Sequence, residues 1–432
     1  MTADTPASDT SPRLIWTDDG SPRSGRFGDV YFSREDGLAE TRAVFLAGCG
    51  LPQAWAGRRR FTVAELGFGT GLNIAALLDL WRREGPADGR LHVFTVEGYP
   101  LTAAEAARAL SAWPELAAVT EPLLARWPDG TPGFHRIDLP DLRATVDVAI
   151  GEVAWALAEW TGRADAWFLD GFAPSTNPAM WSEAVMDGIA ARSTADARAA
   201  TFTVAGAVRR GLTERGFTVE KKPGHGRKRE RLEARRAGAA EAEPTAPSVA
   251  VVGAGIAGAS LARALRAEGA EVTVVEADAP GAGASGFPAS LVTPRLDAGD
   301  AAIAGLNAQA LRTAMAAYRE ADAVLAQGVL QLEQAPRDAG RFARVAAQDI
   351  WARGAMTVLD ADACSARLGE PVAVGGLMMR DAGAITAAPV LAAWLEGVTR
   401  RTARVARVES AGDGWRLLDA DGTVILEADA VV

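Results

Sequence analysis

Twice along this chain the apolar positions follow the same order: a short dense run, a glycine-rich break, then a longer stretch at helical spacing. In "RFTVAELGFGTGLNIAALLDLWRR", from Arg60, the residues Phe61, Val63 and Leu66 predict a strand, and Leu72, Ala75, Ala76, Leu78 and Leu80 predict a helix. In "SVAVVGAGIAGASLARALRAEGAEVTVVEAD", from Ser248, Val249 to Val252 predict a strand, Leu261 to Leu265 lie in a helix, and Val272 and Val274 open the next strand. Further strands are expected where Val146, Val148 and Ile150 alternate before Gly151, at Trp167 to Leu169, and in "AATFTVAG" from Ala199. Strands alternating with helices in this way predict an α/β protein with parallel, doubly wound sheets. Between Gly238 and Ser248, "GAAEAEPTAPS" has no apolar period and reads as a linker. The expected organisation is therefore a tail over 1–13, a Rossmann-like domain over 14–236, a linker over 237–247 and a second Rossmann-type domain over 248–432.

The glycine breaks differ in spacing, and the difference carries chemistry. Gly253, Gly255 and Gly258 form G-x-G-x-x-G, and Glu276 closes the following strand about twenty residues on, where a carboxylate accepts hydrogen bonds from a ribose. That pattern points to a dinucleotide, its pyrophosphate on the helix N-terminus. The first turn, "ELGFGTGLN" from Glu65 to Asn73, has glycines at Gly67, Gly69 and Gly71, and its next strand ends in Glu97. A tighter turn followed by an acid suits a nucleoside without a pyrophosphate, the pattern of S-adenosylmethionine methyltransferases. Glu65 belongs to this candidate donor site, Glu97 is expected on the ribose, and Glu152, just past Ile150, on the adenine amino group.

One aspartate stands out. "WFLDGFAPSTNPAMW", Trp167 to Trp181, ends an apolar strand in Asp170 and passes into a loop stiffened by Pro174 and Pro178. Ligands of doubly wound sheets bind outside the carboxyl ends of the strands, so Asp170 is expected where methyl donor and acceptor meet. There it would orient an amine and take its proton as the new N–C bond forms. The plainer alternative is an aspartate that caps its own turn.

Charge and composition narrow the classes. A net charge of −10 argues against a surface coated for nucleic acid, but Lys221 to Arg236, "KKPGHGRKRERLEARR", holds eight Lys or Arg, and "GRRRF" adds Arg58 to Arg60. Such a run is ordinarily a solvated, partly helical linker. Two cysteines and three scattered histidines give neither a disulfide framework nor a metal cluster, so no metal is expected. No apolar run reaches membrane-spanning length and "MTADTPASDTSPR" lacks an apolar core, so cytoplasm is the expected compartment.

"GRFGDVYFS", "ELGFGTGLN", "WFLDGFAPSTNPAMW", "TFTVAGAVRRGLTERGF" and "GHGRKRE", in this order, resemble the methyltransferase domain of the bifunctional tRNA 5-methylaminomethyl-2-thiouridine biosynthesis family, over about Leu14 to Leu232. The second glycine unit with "GASGFPASLVTPRL" resembles that family's FAD-dependent oxidoreductase domain. The resemblance implies FAD-dependent removal of a carboxymethyl group, as glyoxylate, from the wobble uridine of tRNA, followed by methylation of the exposed amine with S-adenosylmethionine. It implies Asp170 as the catalytic aspartate and tRNA contact at Arg227, Lys228, Arg229 and Arg231. The last residues, "ADAVV", look like the end of a strand. The strands that return late to enclose a flavin ring are therefore expected to be missing, leaving "VAVV" on an open edge and a chain that methylates without oxidising. Two other readings share the cofactor motifs. One is a methyltransferase–amine oxidase fusion acting on a free small amine; the other is a non-catalytic tRNA-binding scaffold.

Overall fold

The computed structural model describes residues 11–33, 36–226, 228–239 and 245–432. It divides into two units, Met1–Glu243 and Pro244–Val432.

The first unit opens with a two-stranded hairpin, β1 (Leu14–Trp16) and β2 (Pro22–Ser24). The expected tail over 1–13 lies outside the described residues up to residue 10, and beyond that it is corrected. Gly25 N–H donates to the Arg13 carbonyl at 2.9 Å, which ties this stretch to the hairpin. The main sheet has eight strands: β3 (Arg60–Leu66), β4 (Arg90–Glu97), β5 (Gly133–Leu139), β6 (Ala144–Ile150), β7 (Ala164–Leu169), β8 (Ser193–Thr201), β9 (Phe217–Pro223) and β10 (Glu230–Arg236). Their order is β5-β6-β4-β3-β7-β8-β10-β9. β6, β4, β3, β7 and β8 run parallel, while β5 and the β9–β10 hairpin are antiparallel additions at the two edges. Successive residues of a strand face opposite sides, and two cores follow from that. Phe61, Val63, Leu91, Val93, Val146, Val148 and Phe168 join one. Ala64, Leu66, Phe94, Val96, Ala149, Trp167 and Leu169 join the other. With both faces covered, β3 reads as a nearly continuous apolar run.

Three expectations change here. β8 begins at Ser193 and ends at Thr201, so "FTVAG" is the loop into the helix Gly206–Glu214. β5 is an addition to the expected strands, because His135, Arg136 and Asp138 interrupt its apolar positions. The basic stretch 221–236 is no helical linker but largely β-hairpin: Leu232 and Ala234 of β10 are buried at alternate positions, and the charged residues between them give the segment its polar look.

In the second unit, β11 (Ser248–Val252) and β12 (Glu271–Glu276) flank the helix Ile256–Ala267. A second sheet contains β13 (Ser290–Val292), β14 (Val324–Leu332), β15 (Met356–Leu359) and β16 (Gly376–Ile385), with the helix Ala301–Glu320 between β13 and β14. β17 (Thr399–Thr402) then returns to pair with β12. A three-stranded sheet of β18 (Arg407–Ala411), β19 (Gly414–Leu418) and β20 (Val424–Ala428) precedes β21 (Ala430–Val431). β21 pairs in parallel with β11, Val249 opposite Ala430 and Ala250 opposite Val431, giving a nucleotide-type sheet in the order β17-β12-β11-β21. This overturns the expectation of an open edge. "ADAVV" is itself a returning strand, anchored where Asp429 accepts both the N–H (2.7 Å) and the hydroxyl (2.8 Å) of Ser248. Val249, Ala250 and Val251 are buried; only Val252 of "VAVV" is exposed. No helix among the described residues is long and apolar enough to cross a membrane.

Candidate functional site

In the first unit the carboxyl ends of β3, β4, β6 and β7 open into one cavity of about 1010 Å³. Its floor is the glycine turn. Gly67, Gly69 and Gly71 all have positive φ (+100°, +53° and +77°), which a β-carbon disfavours. At Gly67 the need is also steric, because a β-carbon would stand 2.4 Å from the Asp170 carbonyl oxygen. Glycine thus lets the end of β3 touch the end of β7, bringing the glycine turn beside the aspartate. Glu97 ties the turn to β4: its Oε2 accepts the Gly69 N–H at 2.9 Å and its Oε1 the Tyr99 N–H at 2.8 Å. Burial pushes the Glu97 carboxyl up, against the Tyr99, Gly69 and Gly98 amides that pull it down. Each oxygen keeps a second lone pair for a ligand hydroxyl. The Gly151 N–H donates to the Glu97 carbonyl at 2.9 Å, which sets exposed Glu152 in the wall of the same cavity. Gly67, Gly69, Glu97, Glu152 and Asp170 all line it.

Glu65 is placed differently. It is fully buried within β3, between Thr95 of β4 and Phe168 of β7, and is not among the cavity-lining residues. The Thr95 hydroxyl donates to its Oε2 at 2.7 Å, and its Oε1 has no partner. Burial holds its carboxyl well above the usual range, against the Thr95 hydrogen bond that pulls it down.

Asp170 does not turn back on its own loop. Its Oδ2 accepts the Asn73 Nδ2–H at 2.6 Å, and the Asn73 Oδ1 accepts the Thr41 hydroxyl at 2.7 Å. Burial pushes the Asp170 carboxyl up to about 7; Asn73 and Lys228 pull against it, and Glu40 and Asp29 add to it. Phe172 follows in the cavity wall, its ring 4.8 Å from Phe27 and 5.5 Å from Tyr31. Sequence reasoning assigns no role to these aromatics or to Thr41 and Asn73, although "GRFGDVYFS" and "ELGFGTGLN" contain most of them.

The basic residues do not act as one patch. Lys228 faces the cavity, its Nζ 2.8 Å from Glu40 Oε1 and 3.9 Å from the centre of the Phe202 ring. Arg231 pairs with Glu233 at 2.6 Å and donates to the Pro223 carbonyl at 2.7 Å. Arg229 is exposed, and Arg227 lies outside the described residues. Arg58, of the smaller cluster, is held by Asp165 at 2.8 Å and Asp196 at 2.9 Å, so it is a brace across strand ends.

In the second unit Gly253, Gly255, Gly258 and Glu276 come together. Gly253 N–H donates to the Val275 carbonyl at 2.8 Å, and Glu276 accepts the Ala254 N–H at 2.7 Å. A β-carbon on Gly258 would lie 2.0 Å from the Gly253 carbonyl oxygen, so glycine is what lets helix and strand pack this closely. The Ser285 hydroxyl accepts the Ile256 N–H at 2.9 Å on the first turn of the helix, a contact that no sequence motif announces. This cradle fits the adenosine and pyrophosphate end of a dinucleotide. Glu276→Ala is expected to weaken FAD binding by roughly 1–3 kcal/mol, about 5- to 150-fold in Kd. Flavin-fluorescence titration checks it, and an unchanged Kd removes Glu276 from the site.

Fold and sites together define the class: an S-adenosylmethionine-dependent methyltransferase joined to an FAD-dependent oxidoreductase. The S-adenosyl-L-methionine-dependent methyltransferase family matches residues 114–237, and the FAD dependent oxidoreductase family matches residues 248–432. The chain is 57% identical over 417 residues to the tRNA 5-methylaminomethyl-2-thiouridine biosynthesis bifunctional protein MnmC of Caulobacter vibrioides, covering 96% of this chain and 70% of that protein. It is 45% identical to the protein of the same name from Maricaulis maris, covering 97% of this chain and 69% of that one. A crystal structure of MNMC2 from Aquifex aeolicus aligns with 53% of this chain and 72% of that chain, at 24% identity and a TM-score of 0.42. The chain belongs to the tRNA 5-methylaminomethyl-2-thiouridine biosynthesis bifunctional protein family.

Proposed function

We propose, against the expectation of a chain that methylates without oxidising, that this chain modifies the wobble uridine of tRNA in two steps: FAD-dependent removal of the carboxymethyl group from 5-carboxymethylaminomethyl-(2-thio)uridine, then N-methylation of the resulting 5-aminomethyl group; the return of β17 and β21 to the nucleotide sheet supports keeping the first step. The observation that carries the methylation step is the meeting of Asp170 with the Gly67–Gly71 turn and Glu97 in one cavity. When bound, S-adenosylmethionine supplies an electrophilic methyl group and FAD supplies a two-electron acceptor. The chain's own residues do the rest. Glu97, with lone pairs left beyond Gly69 and Tyr99, holds the donor ribose; the Glu152 turn takes the adenine side. Asp170 orients the acceptor amine. A carboxylate stabilises an ammonium, so it does not by itself strip the amine; it accepts the proton as the new N–C bond acidifies the nitrogen. Glu65, buried within β3, lies outside this cavity. In the second unit Gly253, Gly255, Gly258 and Glu276 hold the nucleotide end of FAD.

The test is incubation with labelled S-adenosylmethionine and either tRNA bearing 5-aminomethyluridine or a panel of small amines. Label in the tRNA supports this reading, whereas label in the small amines alone overturns it.

The basic tip contributes unequally. Neutralising Arg227 and Arg229 is expected to weaken tRNA binding and to reduce the slope of log K against log salt by about 1 for each phosphate that is no longer neutralised. Binding measured from about 50 to 200 mM salt reads this, and an unaltered slope removes the tip from the tRNA interface. Arg231→Ala is expected to alter the slope less, since Glu233 already neutralises it.

A further inference from the structure

We propose that Asn73 is the positioning residue for the methyl-transfer carboxylate, and that the Thr41 hydroxyl decides which end of the Asn73 amide faces it, an inference that rests on Asp170 being the amine's proton acceptor. Asn73 is the second residue of the helix Leu72–Glu84, and Thr41 ends the short helix Gly37–Thr41. Both are buried, 7% and 3% exposed, although neither is apolar. A buried polar side chain costs stability unless its hydrogen bonds are made, and here they are made to each other and to Asp170. The two ends of an amide are alike in shape and opposite in chemistry. An ionised Asp170 only accepts, so Nδ2 must face it; Thr41 then donates to Oδ1, and both contacts set a donor against an acceptor. One oxygen of Asp170 is occupied by this contact, which leaves Oδ1 to meet an amine.

The surroundings explain why such a clamp is needed. Glu40, on the same short helix as Thr41, and Asp29, on the segment after β2, both raise the Asp170 carboxyl. Glu65, sealed within β3, feels the Asp170 charge, which helps to raise its own carboxyl. Lys228 is the opposing cation, and its ammonium is shared with Glu40. Of the influences favouring the carboxylate, the Asn73 hydrogen bond is the largest. Without it, the acid that must accept a proton would be mostly, rather than about half, protonated at neutral pH.

Single-turnover methyl transfer to tRNA bearing 5-aminomethyluridine, at saturating donor and across pH, tests this. Titration with S-adenosylhomocysteine and thermal melts run beside it. Asn73→Leu is expected to move the midpoint of the pH–rate profile upward by roughly one unit and to slow the reaction at pH 7 about fivefold, with donor affinity within about twofold. Thr41→Val should shift the midpoint in the same direction by less, and Thr41→Ser, which keeps the hydroxyl, should return it. A uniform loss of rate at every pH with an unmoved midpoint overturns the proposal, as does a Thr41→Ser profile matching that of Thr41→Val. The Thr41 pair decides the matter if Asn73→Leu does not fold. Asp170→Asn is measured alongside. If it stays active, the underlying reading of Asp170 fails; if it is inactive while Asn73→Leu and Thr41→Val keep the original midpoint, only the clamp fails.

Discussion

Asp170→Asn is expected to slow methyl transfer by about 10²–10⁴-fold, the usual cost of losing a positioned proton acceptor. Donor binding should stay near that of the unaltered chain, and the methyltransferase unit should become more stable above neutral pH. The last effect follows from linkage. Burial raises the folded-state Asp170 from 3.8 to about 7. Between those values the folded chain holds a proton that the unfolded chain has released, so stability falls as pH rises through this window and stays low above it. The amide carries no charge and escapes the penalty. At about 1.4 kcal/mol per unit the gain is bounded at about 4 kcal/mol, and solvent in the cavity reduces it. Melting measured from about pH 5 to 8 should show the two chains diverging as pH rises. For the unaltered chain the same titration predicts a methylation rate that climbs as pH passes about 7, where the carboxylate forms. A variant retaining more than about a tenth of the rate sinks the assignment of Asp170. Parallel melting curves at all pH values would show that the carboxyl is not a buried charge.

Glu97→Ala should leave the methylation step itself largely intact once donor saturates, and should instead weaken donor binding. Two effects combine. The ribose loses a hydrogen-bonding carboxylate, worth roughly 1–3 kcal/mol. The Gly69 and Tyr99 amides also lose the oxygens that hold the turn at 2.9 and 2.8 Å, so the turn is less well formed before the donor arrives. The total should therefore reach the upper end of about 10- to 100-fold in Kd for S-adenosylhomocysteine, measured by calorimetry. Glu97→Gln keeps the side chain's size but disturbs the turn, because an amide nitrogen turned toward either backbone N–H leaves that donor unpaired. Unchanged affinity in both variants would remove Glu97 from the ribose.

The sequence by itself determined the two βα units and their order. Glycine spacing, strand-end acids and the switch from dense apolar runs to helical spacing are local properties, set by the backbone and by burial on both faces of β3, β4, β6 and β7. It also singled out Asp170, since the apolar strand runs straight from this acid into a loop stiffened by Pro174 and Pro178. What the sequence left hidden depends on which segments meet. β10 does not read as a strand because Leu232 and Ala234, its only apolar side chains, alternate with charges whose partners, Lys221 of β9 for Glu230 among them, become visible only in the pairing. "ADAVV" reads as a strand end, but its return to β11 stays hidden because two residues make a strand only when Val249 and Ala250 offer an edge to pair with. Glu65 and Glu97 both lie in or at the end of strands of one sheet, yet one is sealed between Thr95 and Phe168 while the other reaches the cavity. Strand direction and side-chain facing decide that, not residue type. Lys228 and Arg229 are neighbours in a basic run, yet Glu40 and Phe202 draw the first into the cavity while the second stays in solvent. Thr41 and Asn73, 32 residues apart, hold Asp170, itself 97 residues beyond Asn73. No local pattern encodes such a contact, because a hydrogen bond between distant residues exists only once packing has brought them within reach.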